Sequence, residues 1–173
     1  MHDKLRISRT TRRVAFIGML GALALVLSAL EAMLPPLPML PPGAKLGLSN
    51  LVTMYAAGAV GLLPALAIAL LKGLFAGAMS GSVALLMSTA GGLASTLVMW
   101  VLLQPKSQPF GFLGLGVAGA LTHNMAQLGV AALLTTPAVS WYAPWLLLFG
   151  VLAGILTGLV LRAITPLLER FKP

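Results

Sequence analysis

Few residues in this chain are capable of chemistry, and their types limit what that chemistry is. The acids are Asp3, Glu31 and Glu169. They stand far apart in the chain, so they do not supply the clustered carboxylates that hold Mg²⁺ against a diphosphate. Cysteine is absent, which excludes disulfides, thiolate metal sites and cysteine nucleophiles. No glycine-rich phosphate loop ending in Lys-Ser/Thr is present, so the chain does not itself use ATP in that way. A serine–histidine–acid set can be written with His123 and Glu31, but no strained nucleophile turn accompanies it. The expectation is a protein that is not an enzyme and has neither cofactor nor metal. What remains suits the holding of a polar ligand: Glu31, Lys45, Asn50, Lys72, His123, Asn124 and Gln127. His123 and Gln127 are one helical turn apart and share a face.

The elements that must position these groups are read from composition. Of 173 residues, 59% are hydrophobic and only 8% charged, where a soluble domain carries about 25% charge. Most of the surface must therefore face something other than water. Val14 to Leu34 is apolar except for Ser28 and Glu31, and as a helix it would reach about 31 Å, one bilayer core. Net charge is +8, but the basic residues gather at the ends. Lys4, Arg6, Arg9, Arg12 and Arg13 precede the first apolar run, and Arg162, Arg170 and Lys172 lie at the last. That pattern marks the cytoplasmic side of a membrane protein in contact with the lipid bilayer, with no nucleic-acid partner. A single transmembrane domain over residues 1–173 is expected, with residues 1–13 as a basic cytoplasmic segment.

Leu46 to Leu103 carries only Lys72 as a charge, and would form about 87 Å of helix, roughly three crossings. Gly58, Gly61 and Pro64 mark one turn, and Ser80-Gly81-Ser82 another. The polar stretch from Gln104 to Pro109 ends the block. A fifth helix runs from about Phe110 to Leu134, Thr135-Thr136-Pro137 forms a loop, and a sixth helix starts near Trp141. Merging the second and third helices would give five crossings and place the C-terminus outside. Six crossings put the N-terminus, Lys106 and the C-terminal basic residues together on the cytoplasmic side, and leave the loop around Ala138 external and uncharged. The expected fold is an all-α integral membrane bundle of six transmembrane helices.

On that topology the polar residues fall in the outer half. Lys45 and Lys72 against Glu31 leave the site net positive, which favours an anionic or strongly polar small-molecule solute. The proline-rich external loop, residues 35–45, favours stiff polyproline II geometry and suits a lid. Two glycine ladders, Gly73/Gly77/Gly81 and Gly150/Gly154/Gly158, allow close backbone approach. Packing within the bundle is the expected use of both. The small stripe Gly18/Ala22 on the first helix gives more weight to a partner.

The arrangement Glu31-x3-Pro35-Pro36-Leu37-Pro38, then Pro42-Gly43-x-Lys45-Leu46-Gly47-Leu48-x-Asn50, carries a resemblance. With Ala90-Gly91-Gly92-Leu93 and Gly119-Ala120-x2-His123-Asn124-x2-Gln127-Leu128, it closely resembles small bacterial membrane proteins described as Gx transporters or as heptaprenyl diphosphate synthase component I. The similarity runs from about Arg13 to Leu168. That family in turn looks like the substrate-binding S-components of energy-coupling factor (ECF) transporters. The resemblance implies a multi-pass protein of the bacterial cytoplasmic membrane that captures a solute from outside. It also implies a transmembrane coupling subunit with ATPases as partner, docked on Ala15, Gly18 and Ala22, and a first loop that covers the ligand. Two alternatives stand beside it. One is an accessory membrane subunit of isoprenoid or quinone metabolism, binding a prenyl diphosphate at the same basic site. The other is a proton-coupled secondary transporter in which Glu31 or His123 carries the proton.

Overall fold

The computed structural model describes residues 8–33, 47–104 and 110–171, and every element within them is helical. The order is α1 (Arg9–Met33), α2 (Asn50–Ala59), α3 (Leu62–Ser80), α4 (Ser82–Leu103), α5 (Gly111–Leu134), a 3-10 turn (Pro137–Tyr142) and α6 (Ala143–Leu168), followed by a short 3-10 turn (Glu169–Phe171). Five of the helices are long and apolar enough to cross a membrane. This is the fold of a multi-pass membrane protein.

The exception is α2. Its 10 residues make about 15 Å of helix, half a bilayer core. Two contacts place it. The backbone N–H of Gly47 donates to the Glu31 carboxylate at the C-terminal end of α1. Past the other end of α2, the Arg13 guanidinium donates to the Val60 carbonyl oxygen at 3.1 Å. Residues 47–60 therefore run antiparallel to α1 along most of its length. The expectation of six long helices is met by five, with this shorter passage beside them.

α1 begins at Arg9, ahead of the apolar run, so part of the basic segment is helical. The local reason is a cap: the Ser8 hydroxyl accepts the Thr11 N–H at 3.1 Å, satisfying one of the orphan donors of the first turn. The turns fall where the glycines predict. Gly61 and Gly81 adopt φ of 96° and 89°, a region costly for any residue with a Cβ.

The outside of the bundle is a coat of exposed apolar side chains such as Leu63, Leu74, Leu133, Leu152 and Leu156. The polar side chains are inside, which inverts the usual soluble arrangement and suits a lipid surround. Close approach is taken up by glycine within the chain. A Cβ on Gly154 would sit 2.5 Å from the Val117 Cα, and one on Gly158 2.6 Å from the Phe112 carbonyl oxygen. α5 and α6 thus meet backbone to backbone. Gly77 of α3 instead makes room for the Leu85 side chain of α4, whose Cβ would lie 2.7 Å from an added Cβ. Both ladders serve the bundle itself, and Gly81 belongs to a turn rather than a packed face.

Candidate functional site

The polar groups converge near the C-terminal end of α1. Lys72 projects from the middle of α3 and is only 2% exposed. Burying an ammonium in a membrane interior is costly unless it is solvated by protein, and Asn50 does this at the start of α2. The Lys72 Nζ donates to Asn50 Oδ1 at 2.8 Å. The other half of that carboxamide, Asn50 Nδ2, is buried and has no hydrogen-bond partner among the described residues.

α5 supplies the neighbouring wall. The Gln127 amide nitrogen donates to His123 Nε2 at 2.7 Å, the one-turn relation expected from their spacing. The imidazole lies between two glycines. A Cβ on Gly91 of α4 would fall 2.7 Å from His123 Nδ1, and one on Gly47 would fall 3.1 Å from His123 Cδ2 and 2.8 Å from Asn50 Nδ2. Gly47 has φ of 82° and is fixed by Glu31. Glu31, Gly47, Asn50, Lys72, Gly91, His123 and Gln127 thus form one buried cluster built from α1, α2, α3, α4 and α5.

Not every expected residue joins it. Asn124, next to His123, donates instead to the Leu146 carbonyl oxygen at 2.8 Å and ties α5 to α6. Lys45 and the proline-rich loop at 35–45 lie outside the described residues. Ala15, Gly18 and Ala22 lie on an exposed face of α1, and a Cβ on Gly18 would meet nothing within 4 Å.

Gly47 and Gly91 are site-shaping positions that chemistry-bearing residue types could not reveal. Their signal in the sequence was their place in the two motifs that carry the resemblance, and the structure shows that a side chain at either would displace His123. The cluster combines an ammonium, a spare amide donor, an imidazole and a carboxylate, all buried. Groups of these types can pair with a small anionic or hydrogen-bonding group, and each such contact is strengthened where water is excluded.

No curated protein and no solved structure matches the chain. The family described as heptaprenyl diphosphate synthase component I matches residues 20–164, most of the chain, and the protein belongs to that family.

Proposed function

We propose that the protein is a solute-binding membrane subunit, with the Lys72–Asn50–His123 cluster as the binding site for a small anionic or strongly polar molecule. The observation that carries this reading is the buried Lys72 ammonium held by Asn50, with a spare amide donor beside it. Residues 47–60 act as a short sixth crossing, so both termini share one side. The basic ends of the chain put that side in the cytoplasm, and the cluster then lies toward the outside, where capture occurs. The exposed Ala15/Gly18/Ala22 face is the docking surface for a coupling subunit, in the manner of S-components of energy-coupling factor transporters.

The test is native mass spectrometry of protein purified gently from its own membranes. A small anion that co-purifies with the wild type and is lost in Lys72→Met and His123→Ala supports the reading and identifies the solute. A solute retained by both variants places the site elsewhere and overturns it.

A second reading has its own support. The family's name implies a partner component that makes heptaprenyl diphosphate. A lateral apolar groove of about 520 Å³ runs between α1, α2 and α6, walled by Leu27, Leu48, Leu51, Leu156 and Ile164 among others. Leu48 and Leu51 flank Asn50 in sequence, so a prenyl chain in the groove would bring its diphosphate to the same cluster. Co-purification of a prenyl diphosphate favours this accessory role.

A further inference from the structure

A cavity with polar walls lies beside the second half of α2, on the side of the cluster away from Glu31. It has a volume of about 240 Å³ and is bordered by Met54, Tyr55, Gly58, Leu103, Thr165 and Glu169. Tyr55 is 6% exposed, and its hydroxyl has no hydrogen-bond partner among the described residues. A cavity with a partnerless buried hydroxyl and a carboxylate in its wall suits water better than a lipid chain.

The cavity reaches close to the cluster. Met54 follows Asn50 by one helical turn, about 6 Å along α2. On α4, Gly91 packs against His123, and Thr96 lies about 7.5 Å further along the helix toward the cavity. Thr96 is fully buried, and its hydroxyl also lacks a partner among the described residues. The layer between cluster and cavity is closed by Met54 and Met99, each 1% exposed. Methionine is an unbranched, adaptable side chain that can swing aside without a change of backbone.

We infer that this cavity is an inward-opening release vestibule, joined to the Lys72–Asn50–His123 site when Met54 and Met99 move. The inference rests on the solute-binding reading and adds a route to it. An anion held by Lys72 would pass Thr96 and Tyr55 into a cavity whose Glu169 carboxylate weakens any retention of it there. The bundle then carries its own exit path, whatever supplies the energy.

The chain lacks cysteine, so single thiols report the path directly. Gly58→Cys is a fair probe, because its added Cβ makes only ordinary contact with Leu103 Cδ1, at 3.6 Å. A membrane-impermeant charged maleimide should modify it in inside-out vesicles and not in right-side-out ones. Thr53→Cys, buried between Asn50 and Met54, should be inert from both sides. Combined with Met54→Ala it should become reactive from the inner side by at least roughly tenfold, as a raised open population requires. Met54→Ser makes the same truncation should the alanine variant fold poorly. Gly58→Cys inert from the inner side, or reactive from the outer, overturns the vestibule. Thr53→Cys unaffected by both truncations overturns Met54 as its plug. These labels need no solute, so they fail or succeed independently of the binding test.

Discussion

The Lys72 ammonium donates to the Asn50 carboxamide oxygen at 2.8 Å, tying the middle of α3 to the start of α2 where both side chains are buried. Removing the acceptor leaves a buried charge short of one solvating group. Asn50→Leu should therefore lower stability by about 2–3 kcal/mol. Lys72→Met in the same chain should restore most of that loss, because an apolar pair of similar size is tolerated where a broken polar pair is not. Thermal melting in detergent checks this. A double variant that melts no higher than Asn50→Leu alone would show that the pair does not act as a unit. Ligand retention should be lost in Asn50→Leu, in Lys72→Met and in the double variant.

His123 sits in a niche made by two missing side chains. Gly91→Ala should push its ring aside, since the new Cβ would fall 2.7 Å from Nδ1, at a cost of about 1–3 kcal/mol. Gly47→Ala adds the strain of a positive φ, about 1–2 kcal/mol, to a clash with Asn50. Gly129→Ala is the control, because its Cβ would meet nothing within 4 Å. Ligand retention should fall in the first two and stay unchanged in the third.

Two glycines that look alike in sequence should behave differently. Gly154→Leu drives a side chain into the Val117 backbone and should separate α5 from α6, with a loss of folded protein in size-exclusion and melting assays. Gly18→Leu projects from an open face of α1 and should melt like the wild type. Equal damage from both would mean that the α1 face is packed in the membrane by a copy or partner that stabilises the fold.

The short passage at 47–60 decides the topology. If it crosses, Thr10 and Ser140 are separated by five passages and lie on opposite sides of the membrane. Thr10→Cys should then be labelled only in inside-out vesicles and Ser140→Cys only in right-side-out ones. Labelling of both from one side would leave four crossings between them and place α2 on the surface.

Much of this architecture was legible in the residues. Composition and hydropathy are properties of the helix axis, so they survive ignorance of packing. They gave the membrane class, the turns at Gly61 and Gly81, and the apolar segments that carry Glu31, Asn50, Lys72 and His123. α2 was harder to read: Leu46 to Ala59 carries no charge, and hydropathy does not show where helical hydrogen bonding begins. The start of α1 was missed for a related reason. Arginines after a serine cap are good helix formers, and the start of the apolar run at Val14 is not a helix boundary.

What the chain alone determined, then, is which polar groups must be hidden from lipid and which apolar segment carries each of them. What only the tertiary structure decided is which way they face. Helices that are apolar on every side give no rotational signal, because lipid and protein interior are equally greasy. His123 and Asn124 are neighbours in sequence, yet successive residues diverge by about 100° around a helix axis. The packing of α5 on α6 through Gly154 and Gly158 fixes that rotation. It turns His123 toward Gly47 and Gly91, and it hands Asn124 to the backbone of Leu146.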